Sequence, residues 1–78
     1  MPTILSIGPY RLYFYAWDRH EPPHVHVERN SCRAKIWLAP VRVHSSGGFR
    51  RREIARIIAL VWEHHEHLIG AWNEFFKD

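Results

Sequence analysis

Apolar residues recur along this chain at two spacings, and the change of spacing divides it. Up to His44 they largely alternate with polar residues, the period of strands that cover a core on one side. Thr3 to Ile7 is short and apolar, Gly8-Pro9 marks a turn, and the aromatic run Tyr10 to Trp17 predicts a second strand. Asp18 to Pro23 reads as a loop, since its two prolines force extended backbone, and His24 to Glu28 then alternates again. Asn30-Ser31 supplies a turn, Arg33 to Leu38 a further strand, and Val41 to His44, after Pro40, a short edge strand. Ser45-Ser46-Gly47-Gly48 is a linker-like stretch. From Arg51 the period lengthens to about 3.6. Ile54, Ile57, Ile58, Val61, His65, Leu68, Ile69, Trp72, Phe75 and Phe76 keep to one stripe, with Arg52, Arg56, Glu63, His67, Asn73 and Lys77 opposite. At ~1.5 Å per residue a straight helix of this span outreaches so small a sheet, so a kink or break is expected around His64 to His67.

These elements predict an α+β fold in a single domain over residues 1–78. The β part covers 1–44, the linker 45–48 and the helical part 49–78. The expected architecture is an antiparallel sheet of three to five strands, with a C-terminal amphipathic helical segment, kinked or in two helices, packed on one face.

Sorting the strand residues by alternation gives two sets. Leu12, Phe14, Ala16, Val25, Val27, Ala34, Ile36, Leu38, Val41 and Val43 form an apolar face for the helical stripe to cover. The other set is Arg11, Tyr13, Tyr15, Trp17, His24, His26, Glu28, Arg33, Lys35, Trp37, Arg42 and His44, an interleaving of cations, histidines and aromatics. Aromatics on an open sheet can stack unpaired bases while cations hold phosphates. Tyrosine, tryptophan and arginine are also the anchors of protein interfaces. The simplest reading is a half-solvated sheet whose outer side chains cover one another through cross-strand pairs.

Size and composition narrow these readings. Seventy-eight residues suffice for one core, and 46% hydrophobic with 24% charged residues is ordinary for a globular protein and unlike a disordered one. A single cysteine, Cys32, excludes an internal disulfide and a thiolate zinc knuckle. Neither a signal-peptide pattern nor an apolar run of membrane-spanning length is present, so the expectation is a cytoplasmic domain without a membrane partner. The net charge of +3 with histidines neutral is compatible with an anionic partner, and the placement of the charges matters more than their sum.

Two clusters carry candidate chemistry. His24 and His26, at i and i+2 on a strand, project to one side and can reach one metal ion; Asp18 or His20 of the preceding loop is a candidate third ligand. No resident cofactor is otherwise called for, and zinc or another divalent metal is the group this pair can take. The same pair suits general acid–base chemistry, which with Arg33 or Lys35 near a phosphate describes a small RNase. The plainer alternative has the histidines bonded to the loop and to Glu28, fixing the strand. In the second cluster, Arg50-Arg51-Arg52 opens the helix, where cations oppose the macrodipole, so local stability does not explain them and phosphate attraction does. A solvated basic turn offset by Glu53 and Glu63 is the competing account. Of the helical histidines, His65 falls on the apolar stripe and reads as a satisfied buried residue, while His64 and His67 read as solvated.

Several stretches together resemble one bacterial family, domain of unknown function 4160. They are Met1-Pro2-Thr3-Ile4 followed by Gly8, the aromatic strand Tyr10 to Tyr15, Glu21-Pro22-Pro23-His24-Val25-His26-Val27-Glu28, Ala34-Lys35-Ile36-Trp37-Leu38, Gly48-Phe49, and Ala71-Trp72-Asn73-Glu74-Phe75-Phe76. The resemblance covers nearly the whole chain and implies a compact β-then-α protein. It also implies a frequent gene neighbour, domain of unknown function 2442, hence a toxin–antitoxin-like pair, and carries over no catalytic residues. One departure is Arg50, where the family tends to place a serine or asparagine cap three residues before an acid, here Glu53, so the capping box is incomplete.

The resulting expectation is a small interaction module of a toxin–antitoxin-type locus. Tyr13, Tyr15, Trp17, His24, His26, Lys35 and Trp37 are its expected contact surface and Arg50, Arg51 and Arg52 auxiliary phosphate contacts. The expected partners are an adjacent-gene protein of an antitoxin-like family, RNA or DNA, and, through the same face, a second copy of the chain. The alternatives are the RNase using His24 and His26 as acid and base, and a metal-binding domain.

Overall fold

The computed structural model describes residues 3–77. It contains β1 (Thr3–Ile7), β2 (Tyr10–Tyr13), a 3₁₀ turn (Ala16–His20), β3 (His24–Arg29), β4 (Cys32–Leu38), β5 (Val41–Ser45), α1 (Arg51–Glu63) and α2 (His65–Phe75). The strands form one antiparallel meander in the order β1-β2-β3-β4-β5, the upper end of the expected three to five. Register is continuous through the middle of the sheet: Arg11 faces Glu28, Tyr13 faces His26, His24 faces Trp37 and His26 faces Lys35. Between β4 and β5 the register shifts, with Lys35 opposite Ser45 and Ile36 opposite Val43, which leaves His44 in a bulge. Asn30 takes the left-handed φ of 55° in the β3–β4 turn, a conformation asparagine tolerates.

Alternation places Leu12, Val25, Val27, Ala34, Ile36 and Leu38 on one face, all buried. Ile57 and Val61 of α1 and Leu68 and Trp72 of α2 close over them, joined by Phe14 and Phe49. The two helices meet at His64, whose φ of −107° and ψ of 20° interrupt the α-geometry. No proline sits there. His65 donates from Nε2 to the Leu38 carbonyl at 2.6 Å, tethering the start of α2 to the end of β4. His65, expected to be buried and satisfied, is satisfied by that bond but only half-buried. His67 is exposed, while His64, expected in solvent, is half-buried.

Three expectations are corrected. The strand over Tyr10 to Trp17 stops at Tyr13, because Asp18 captures the chain: its Oδ2 accepts from the Tyr15 N–H at 2.8 Å, and its own N–H donates to the Tyr15 carbonyl at 3.0 Å. Ala16 therefore leaves the apolar face for solvent, and Trp17 sits on the 3₁₀ turn, 78% exposed. Val43 and Phe75, assigned to the covered side, are exposed, since β5 and the last turn of α2 lie at the margins of a small core. The linker 45–48 is less free than its composition suggests. Gly47 has φ 53°, and its carbonyl accepts from Arg33 N–H at 3.1 Å. A Cβ there would meet the Arg33 carbonyl oxygen at 1.5 Å, so only glycine fits. No helix among the described residues is long and apolar enough to cross a membrane.

Candidate functional site

The outer face of the sheet is a layer of mutually covering side chains. Arg11 pairs with Glu28 at 2.5 Å and lies over the Tyr13 ring. Arg33 approaches the same ring and donates to Tyr15 Oη at 2.9 Å. Lys35 bonds Glu21 and lies 4.9 Å from the Trp37 ring centroid, which His44 meets edge-on. These contacts hold the Glu21 and Glu28 carboxyls below the usual carboxylate range, chiefly through their bonds to Lys35 and Arg11. Tyr13 is consequently sealed, and its phenol is pushed up by burial and by the neighbouring Tyr15 phenol. Of the expected contact residues, Tyr13 and His24 are thus corrected: both are fully buried beneath neighbours and neither can stack on a partner. Tyr15, His26, Lys35 and Trp37 are half-exposed, and Trp17 stands free on one side with His20 against it at 4.6 Å between centroids.

At one end of this face the 3₁₀ turn brings Asp18 back over β3. Asp18 Oδ2 lies 3.0 Å from His26 Nε2 and 3.2 Å from His24 Nε2, and these ligand atoms all fall within 4.8 Å of one another. His20, the other candidate third ligand, points away onto Trp17 and is not part of the group. Nor does Glu28 hold the histidines, being engaged by Arg11. His24 packs between Trp37 and Trp72 and is completely buried, with Nδ1 donating to the Pro22 carbonyl at 3.0 Å. Its Nε2 has no aligned hydrogen-bond partner. Burial pushes the His26 imidazole below its ordinary value, against the opposing pull of Asp18. General acid–base chemistry needs contact with the substrate, and of the two imidazoles only that of His26 is partly exposed.

A second centre lies on the helix side. Glu53 accepts from Arg29 through both carboxylate oxygens at 2.7 Å and from Tyr10 Oη at 2.8 Å. The Arg29 and Tyr10 bonds hold the Glu53 carboxyl well below the usual carboxylate range. Committed to β2 and β3, Glu53 does not complete a capping box; Arg50 provides no side-chain cap, and Phe49 N–H donates to the Ser46 carbonyl instead. Sequence reasoning missed this centre, although Arg29 continues the buried phase of Val25 and Val27 and a cation there requires a partner. Beside it opens a cleft of about 470 Å³ lined by Pro9, Tyr10, Arg29, Arg50, Arg52, Glu53 and Arg56. Four guanidiniums thus surround one carboxylate. Arg50 and Arg52 line the cleft as the arginine run suggested, while Arg51 is exposed outside it.

With this arrangement in view, the sequence match is decisive: the model of the family "Domain of unknown function (DUF4160)" matches residues 10–73. The chain belongs to the DUF4160 family. The match runs from the start of β2 into α2 and so includes both centres. No curated protein and no solved structure matches the chain.

Proposed function

We propose that this DUF4160 chain is a small interaction module that binds single-stranded nucleic acid through its phosphates. The observation that carries the reading is the arginine cleft at the start of α1. Arg50 and Arg52 have no acidic partner among the described residues, and Glu53 is already committed to Arg29 and Tyr10. Guanidiniums left without counter-charges beside free helix-start amides suit phosphate oxygens. Around the molecule, exposed Arg33, Arg42 and Arg51 extend the positive surface, and exposed Trp17 offers a base-stacking plane. The sealed Tyr13 does not contribute to stacking, so the sheet face acts through its rim.

The test is binding of labelled single-stranded RNA and DNA oligomers by fluorescence anisotropy between about 50 and 200 mM salt. Affinity is expected to fall steeply with salt. The Arg50→Ala/Arg51→Ala/Arg52→Ala variant is expected to flatten the logarithmic slope by about 0.7 for each phosphate it no longer neutralises. An unchanged slope, or no binding at the lower salt, overturns the reading. The gene-pair setting that the family resemblance implies supplies a second reading, an adjacent-gene protein. Trp17 favours it, because an exposed tryptophan flanked by histidine is a typical interface anchor. Loss of co-purification with that protein on Trp17→Ala, with nucleic-acid binding intact, separates the two.

A further inference from the structure

We infer that Asp18, His24 and His26 form a binding site for one divalent transition ion of the zinc class, fastening the 3₁₀ turn to β3. Such a site is independent of nucleic-acid binding. The direction of the hydrogens on His24 is what points to it. A carbonyl oxygen only accepts, so the Pro22 contact at 3.0 Å requires Nδ1 to carry the proton. A neutral His24 then presents the lone pair of Nε2, in a fully buried position, toward a carboxylate oxygen 3.2 Å away. Lone pair facing lone pair is repulsive, and the contact lacks the alignment of a hydrogen bond. A cation held among the three groups turns this repulsion into coordination.

The rest of the surroundings agrees. Metal-bound imidazoles usually donate their second ring nitrogen to a carbonyl or carboxylate, the bond His24 already makes to Pro22. With metal–ligand bonds of ~2.0–2.1 Å, tetrahedral ligands lie about 3.3 Å apart. The carboxylate–imidazole separations of 3.0 and 3.2 Å sit near that spacing before any ion is placed. The same oxygen, Oδ2, also accepts from Tyr15 N–H at 2.8 Å, which fixes where the carboxylate stands. Two imidazole nitrogens and one carboxylate oxygen suit zinc-like ions rather than magnesium or calcium, which take oxygen sets. Three protein ligands leave a fourth position of the tetrahedral set for water. A small chain also gains most from such a staple, since the ion ties together segments that its modest core holds weakly.

The experiment is titration of chelator-treated, dialysed protein with Zn²⁺, Co²⁺ and, as control, Mg²⁺, read by calorimetry and thermal melting. Zinc and cobalt are expected to bind one per chain. Zinc is expected to raise Tm on the order of 10 °C at a hundredfold excess over Kd, and magnesium to do nothing. Asp18→Asn keeps an acceptor for Tyr15 N–H, and His26→Gln alters a half-exposed position; each is expected to weaken binding more than tenfold. Because either substitution can disturb folding, a second readout uses the unaltered protein. In long-range imidazole NMR, zinc is expected to shift Nε2 of His24 and His26 while His24 Nδ1 stays protonated. Absence of uptake, wild-type affinity in both variants, or shifts confined to His44, His64, His65 or His67 would each overturn the proposal.

Discussion

Two carboxylates organise the two ends of this domain, and they are satisfied in opposite ways. Glu53 meets a guanidinium through both oxygens and a phenol through one, all donors with nothing left over. Asp18 offers a single oxygen to a peptide N–H and two imidazole nitrogens, one of which carries no proton when the ring is neutral. The first arrangement is complete in itself and ties α1 to β2 and β3. The second is complete only when a positive charge arrives. A buried polar cluster with all partners present fixes structure, whereas one with an orphaned lone pair points to a ligand.

The comparison breaks most visibly at His24. His24→Ala removes a fully buried ring packed between Trp37 and Trp72, and a cavity of that kind costs about 2–4 kcal/mol. In a domain this small that lowers Tm by roughly 10 °C or more, measurable by circular dichroism. His24→Leu sharpens the point. It keeps most of the volume and removes the orphaned nitrogen, so in the presence of chelator it is expected to recover most of the loss. If both variants are equally unstable without metal, the imidazole itself is required for folding and the contrast with Glu53 fails.

The fold was largely legible because its signals are local. Apolar spacing, aromatic content and turn residues marked the strand segments, the longer period marked the helical part, and the apolar face from Leu12 to Leu38 is the one the helices cover. What stayed hidden depends on contacts between distant residues. Tyr10 to Trp17 looked like one strand because aromatics favour strands, yet Asp18 bends the chain after Tyr13. The break, by contrast, was expected around His64 to His67 from helix length alone, and the His65 bond to Leu38, 27 residues away in sequence, accompanies it at His64 without a proline. Of the site, His24 and His26 were visible from spacing, and Asp18 and His20 were equal candidates until the 3₁₀ turn separated them. The Tyr10–Arg29–Glu53 centre joins three elements, and only the out-of-place charge of Arg29 hinted at it.

Glu53 supplies the next largest effect, and acid is the way to reach it. Its folded carboxyl titrates below the ordinary 4.5 because Arg29 and then Tyr10 bond the ionised form. A group with a depressed folded value contributes stability above its unfolded value and loses it as pH falls through the folded one. The unfolded chain takes up the proton first, so acid favours unfolding. Melts of the wild type in chelator are therefore expected to drop from just above pH 4.5 downward. Glu53→Gln should start a few degrees lower at neutral pH and decline less steeply through that window. Parallel curves would mean that the centre at the start of α1 is no staple.

The smallest effect is expected at Tyr13, and it decides what an orphaned polar atom means here. Among the described residues Tyr13 Oη is the other buried side-chain atom without an aligned partner, and its ring stacks on His26 at 5.4 Å between centroids. If its hydroxyl is simply enclosed by the packing of Arg11, Arg33 and Tyr15, then Tyr13→Phe removes an unsatisfied group without leaving a cavity. Such a change is near neutral or stabilising by up to about 1 kcal/mol, and zinc affinity should not move. A loss of zinc affinity in Tyr13→Phe, with Tm unchanged, would instead place the phenol in the same centre as Asp18 and redraw its boundary. An unmoved affinity beside the tenfold losses in Asp18→Asn and His26→Gln would confine the centre to the three residues whose ligand atoms converge.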